Sequence, residues 1–93
     1  MTNYTEIGRA TINVGSAVNR LNAPIGTQLA FIEAEGAVRY SISDTAEALT
    51  KEGGGALLSA GTKIDIKGIA VYHFRMISAE DAASPVHITF FGS

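Results

Sequence analysis

The chain contains no cysteine and no tryptophan, and it carries few charges. Without cysteine it can form no disulfide, thiolate nucleophile, or Cys-ligated zinc or iron–sulfur centre. A stacking surface for sugars or single strands wants exposed aromatics with basic residues between them. Here most of the three tyrosines and four phenylalanines fit a core. Charged residues make up 17% of the chain, against about 25% in an average soluble domain. The seven lysines and arginines are scattered singly from Arg9 to Arg75, and the net charge is −2. The electrostatic footprint of a nucleic-acid binder is therefore missing. No apolar run approaches the roughly 20 residues that span a bilayer, and the opening MTNYTEIGRA lacks the basic and apolar regions of a secretory signal. The expectation is a soluble protein made in a cytoplasm, with neither nucleic acid nor membrane as partner.

What is present is apolar and small. Of 93 residues 46% are hydrophobic, and fourteen of those are alanine. The length allows one domain, 1–93. A chain this short buries roughly 60–65% of the surface its unfolded form exposes, so a partner that buries more would add stability.

The hydrophobic pattern is strand after strand. Ala10 to Val14 alternates and is β-branched, with Gly15 ending it. Ser16 to Leu21 reads as a short second strand, closed by the turn-like Asn22-Ala-Pro-Ile-Gly26. Residues 1–6 read as an extended arm. Gln28 to Ala34 and Ala37 to Ser43, separated by Glu35-Gly36, predict a hairpin. Pairing Ala34 with Ala37 gathers Leu29, Phe31, Val38, Tyr40 and Ile42 on a core face. The other face then carries Ala30, Ile32, Ala34, Ala37, Arg39 and Ser41, half of it apolar where solvent-facing residues should be polar.

Asp44 to Glu52 reads as a loop, Ala56 to Ser59 as a short strand, and Thr62 to Lys67 as an alternating one. Ile69 to Ile77 and Val86 to Phe91 are the longest apolar strands. Pairing Met76 with Ile88 puts Tyr72, Phe74, Met76, Val86, Ile88 and Phe90 in the core. It leaves Val71, His73, Arg75, His87, Thr89 and Phe91 on the opposite face. Seven or eight short strands without a long helix predict an all-β fold, an antiparallel sandwich or small jelly roll.

Each candidate site has a plainer reading beside it. The stretch KEGGGALLSAGTK, Lys51 to Lys63, suggests a phosphate cradle. A P-loop, however, needs G-x-x-x-x-G-K-[ST] entering a helix. Five residues separate Gly55 from Gly61, Thr62 precedes Lys63, and the continuation TKIDIK is a strand. A surface turn is favoured for Gly53, Gly54 and Gly55. Glu33 and Glu35 could share acid–base work, but carboxylates beside a turn are usually solvated. Asp44, Glu47 and Glu52 lack calcium-loop spacing. His73 and His87, with Arg75 nearby, lack a third metal ligand and read as a polar interface patch. Exposed Ile32, Val71 and Phe91 in a low-charge domain point to protein contact. No catalytic residue, metal site or cofactor is expected, and neither is an enzyme.

Thr11 to Phe91 resembles a family of small bacteriophage virion proteins encoded among head genes. The resemblance rests on an opening strand like TINVGSAVNRL and on EGAVRYSISD, followed by GGGALLSAG, TKIDIKG, IAVYHFRMIS and a terminal VHITFF. Of these, EGAVRY with GALLSAG is the most telling pair. The loop after Asp44 departs from the usual pattern, with GGG where a threonine-rich turn is commoner. The resemblance implies a structural protein of the virion, without catalysis or cofactor. It implies a capsid decoration (cement) protein that self-associates, with a trimer favoured, and clamps major capsid subunits. Ala30, Ile32, Arg39, Val71, His73, Arg75, His87 and Phe91 would then be interface residues, and Asp44, Glu47 and the glycines loop contacts. A tail or neck module recognising a receptor or carbohydrate through loops 44–55 and 78–85 is the first alternative. A non-viral interaction domain is the second.

Overall fold

The computed structural model describes residues 4–42 and 49–92, and Asp44 and Glu47 lie outside that range. Among the described residues the chain forms eight strands and one helical turn. Strands β1 (Thr5–Val14), β8 (Ser84–Gly92), β3 (Leu29–Ala34) and β6 (Lys63–Lys67) form sheet A in that order. Strands β2 (Asn19–Arg20), β7 (Arg75–Ser78), β4 (Val38–Ser41) and β5 (Ala56–Leu58) form sheet B. Every pairing is antiparallel. The all-β sandwich read from the sequence is the observed fold.

Alternation along the strands sets the two inner faces. From sheet A come Ala30, Ile32, Ala34, Val86, Ile88 and Phe90, and from sheet B Val38, Leu58 and Met76; all are buried in one cluster. Phe74 joins them and stacks on Tyr40 with ring centroids 5.4 Å apart. Each large aliphatic side chain fully withdrawn from water contributes roughly 1.5–3 kcal/mol, which is where this small fold finds its stability.

Four sequence expectations are corrected. The first is the hairpin over 28–43. Strands β3 and β4 belong to different sheets, so Glu35-Gly36 is a crossover and not a hairpin turn. Side chains from far along the chain hold it. Ser84 Oγ accepts the Gly36 N–H at 2.8 Å, and a Glu80 carboxylate oxygen accepts the Ala37 N–H at 2.6 Å. A Cβ on Gly36 would lie 2.6 Å from Ser84 Oγ, so only glycine fits that approach. The expected core face holds on β4, where Val38 is core and Tyr40 packs against it, and fails on β3. Ala30 and Ile32 are 0% exposed, while Phe31 is 47% exposed.

The second correction concerns Met76 and Ile88. They meet across the core from opposite sheets and do not pair edge to edge. The Ser78 to Ser84 segment also crosses between sheets. There the buried Ser78 hydroxyl donates to the Ala82 carbonyl at 2.8 Å and accepts the Glu80 N–H at 3.1 Å.

The third correction is the strand expected over 69–77. Gly68 takes a positive φ of 65°, and a helical turn, α1 (Ala70–His73), precedes β7. Val71 and Phe74, three apart, both point inward, a helical spacing that period-two reading cannot accommodate. Val71 is therefore core, and Tyr72 is exposed. At the other end, Thr5 and Glu6 already pair with Gly92 and Phe91, so the arm expected over 1–6 is sheet from Thr5 onward.

Candidate functional site

The outer face of sheet A is a grid whose rows follow from the pairing register. One row runs Lys63, Glu33, His87, Thr11, and the next Asp65, Phe31, Thr89, Arg9. A third runs Lys67, Leu29, Phe91, Glu6. A groove of about 510 Å³ opens over the first two rows, between β6, β3 and β8. Its apolar element is Phe31, which meets Phe91 with ring centroids 4.8 Å apart and planes inclined at 57°. Tilted pairs of this kind add roughly 0.5–1.5 kcal/mol beyond area burial.

The first row is tied together by polar contacts. Lys63 Nζ lies 3.7 Å from Glu33, an exposed pair of small energetic worth. His87 Nδ1 shares a hydrogen bond with Thr11 Oγ1 at 3.1 Å, and His87 Nε2 pairs with the Glu35 carboxylate. Hydroxyl, imidazole and carboxylate thus stand in line, the composition of a nucleophilic relay. Their setting is not that of one. Thr11 lies mid-strand on an exposed flat face. The β8 backbone beneath is committed to ladders with β1 and β3 on both sides. An acyl-transfer site instead needs backbone N–H groups aimed at a developing oxyanion above the nucleophile.

The outer face of sheet B differs. Residues 49–55 lie across it, with Arg39 as the anchor: Nε donates to the Lys51 carbonyl at 3.1 Å and Nη1 to the Gly55 carbonyl at 3.4 Å. Gly55 packs so close to the Tyr40 carbonyl that any side chain would collide, and Leu49 Cδ1 would sit 2.7 Å from an added Cβ. Ile77 on this face and Leu49 of the covering segment itself are buried yet stand outside the central cluster. The triple-glycine loop is thus a turn that packs closely at Gly55, whose carbonyl faces a guanidinium together with that of Lys51. A phosphate cradle would present N–H groups instead.

Of the expected interface residues, the fold leaves His87 and Phe91 on the open face of sheet A. Ala30, Ile32 and Val71 are core and offer no surface to a partner. Arg39 is committed to the glycine loop, and Arg75 Nη2 reaches Ser41 Oγ at 3.5 Å on sheet B. His73 sits in α1, so the face expected to join it to His87 does not form. Among the described residues no group of three metal-ligating side chains gathers, and no helix is long and apolar enough to cross a membrane.

Sequence reasoning missed Phe31, Lys63 and Asp65 as surface neighbours, and the usable signal was the alternation KIDIK beside LAFIEA. It also missed a smaller apolar patch at one end of the sandwich. There Tyr72 donates its hydroxyl to the Pro24 carbonyl at 3.0 Å beside the fully exposed Ile25. No known protein family, curated protein or solved structure matches this chain.

Proposed function

We propose that the chain is a structural, non-catalytic component of a bacteriophage particle, a capsid decoration protein that docks on the shell through the outer face of sheet A. One observation carries the choice of face: sheet A holds Phe31, nearly half exposed, in a groove, whereas on sheet B residues 49–55 are fastened over Arg39 and leave Leu57 of the edge strand exposed outside that groove. A half-exposed aromatic ringed by Glu33, Lys63, Asp65 and His87 suits a protein surface, with an apolar anchor at the centre and charges at the rim. Low overall charge and a small core fit a domain that gains buried area from neighbours.

The groove also supports a second reading, as a saccharide site. Phe31 would supply a flat apolar platform and Glu33, Asp65 and Thr89 hydrogen-bonding groups, on the sheet face and not at the loop tips.

Quantitative mass spectrometry of purified particles separates these readings. A copy number near that of the major capsid protein, abolished by Phe31→Asp, is the expected outcome. A handful of copies favours a tail or neck site and recognition. Absence from particles overturns the virion role.

A further inference from the structure

The sandwich has four sheet edges, and three of them are protected. Strands β2 and β5 are two and three residues long. Strand β6 alternates Lys63, Asp65 and Lys67 with its apolar residues. Short length and charge are the usual devices that keep an edge from pairing with another chain. The fourth edge, β1, is ten residues long, the longest strand among the described residues. Its sole strand partner there is β8. Its two charged residues neutralise each other, since Arg9 Nε donates to Glu6 at 2.8 Å. A bulge between Glu6 and Gly8 interrupts the ladder and leaves Gly8 to Val14 as a regular run of seven residues. Within that run Ala10 and Ile12 pack against the core but remain partly exposed.

We infer that β1 pairs antiparallel with β1 of a second copy, across a two-fold axis at Thr11, to make one continuous eight-stranded sheet. The register follows from the bulge, because centring on Thr11 overlaps all seven regular residues. Thr11 then faces Thr11 of the second copy, Ala10 faces Ile12, and Arg9 faces Asn13. A Thr–Thr pair is favourable across antiparallel strands, and no like charges meet. A register centred on Arg9 would set that charge against itself. The seam also covers the exposed parts of Ala10 and Ile12, which a protein strand of another kind would have no composition-matched reason to do.

Both copies keep their grooves on the same side of the joined sheet. With about 4.8 Å between strands, five spacings separate the two β3 strands, so the grooves lie roughly 24 Å apart. Two docking faces at fixed spacing would let weak contacts add by multivalency. The pairing itself rests on the edge geometry and stands without the capsid role. It also closes as a dimer, in place of the trimer that the resemblance implies.

The absence of native cysteine gives a clean test. Facing residues of an antiparallel pair have Cα atoms about 4.5–5.5 Å apart, within disulfide reach. Thr11→Cys should therefore form a reducible dimer under mild oxidation. Asn13→Cys, equally exposed but facing Arg9, should cross-link at least tenfold less. Light scattering of the unmodified chain should show concentration-dependent doubling of the 9.7 kDa mass. Thr11→Lys should hold it at the monomer mass with an unchanged circular dichroism spectrum, and mixing Thr11→Lys with Thr11→Asp should restore the pair. A monomer mass at every concentration, or equal cross-linking at positions 11 and 13, overturns the inference.

Discussion

The two sheets present the same kind of surface to the outside and treat it in opposite ways. Sheet B covers part of its outer face with residues 49–55, leaving Leu57 exposed, and that segment is fastened by Arg39 through two backbone carbonyls and by the Lys51–Asp81 pair to the loop before β8. Sheet A leaves Phe31, His87 and Thr89 to solvent over a groove. Charged side chains (Lys63, Glu33, Asp65 and Arg9) surround Phe31 on the accessible face of sheet A, whereas Arg39 on sheet B is engaged by the backbone of the segment lying over it. Outer-face interactions on sheet B should therefore bear on unfolding, and outer-face interactions on sheet A should bear on contacts with partners.

The largest effects should come from within sheet A itself. Ile32→Ala removes a fully buried side chain and should cost about 2–5 kcal/mol in urea unfolding. Phe31→Ala, one residue away on the outer side, should cost less than about 1 kcal/mol while weakening partner binding. Comparable losses from the two would mean the outer face is stabilising and the division is misdrawn.

On sheet B the cover should be sensitive to one methyl group or more. Gly55→Val drives a side chain into the Tyr40 backbone and should cost roughly 3 kcal/mol. Gly53→Ala, with open space around the new Cβ, should stay within about 0.5 kcal/mol of the parent chain. If the two behave alike, the cover is not seated as described. Arg39→Met keeps the aliphatic stem and removes both charge-assisted hydrogen bonds, for about 1–2 kcal/mol. Hydrogen exchange at residues 49–55 should accelerate and that of β3 and β8 should not.

These contrasts mark how far the sequence alone could be read. Alternation in TINV, LAFIEA, KIDIK and VHITFF was enough for the strands and the all-β sandwich, because period two is a local property. The partners of those strands were not local. Glu35-Gly36 has the length of a hairpin loop, and only Ser84 and Glu80, more than forty residues away, decide that it crosses between sheets. A hairpin there exchanges the two sides of β3, which puts Ile32 on the surface and Phe31 in the core, the reverse of the observed burial. The helical turn at Ala70 is not legible in the sequence because the apolar run from Ile69 to Ile77 also supports period two, and only the burial of both Val71 and Phe74, three apart, distinguishes a helix. His87 and Phe91 were placed correctly on the outside because β8 is regular along its whole length.

The smallest predicted effects compare an ion pair from each face. Asp81 is held below the ordinary aspartate range, first by its hydrogen bond from Lys51 and then by that charge, and the Lys51 ammonium is raised in return. On the open side Arg9 lowers the Glu6 carboxyl in the same way. A lowered carboxyl favours the fold above its unfolded-state value, and the contribution fades as pH falls through the folded-state value. A raised ammonium contributes below its unfolded-state value and loses that as pH climbs through the folded-state one. Both pairs lie at the surface with solvent access, so salt should screen both. Their consequences differ because of what they join. Lys51 and Asp81 connect segments 30 residues apart, whereas Glu6 and Arg9 share one strand. Lys51→Met should return the Asp81 titration, followed by NMR, to the ordinary range and also quicken exchange across residues 49–55. Arg9→Met should move the Glu6 titration alone and leave amide protection in sheet A unchanged. Equal loss of protection from both variants would show that the cover on sheet B depends on no tether of its own.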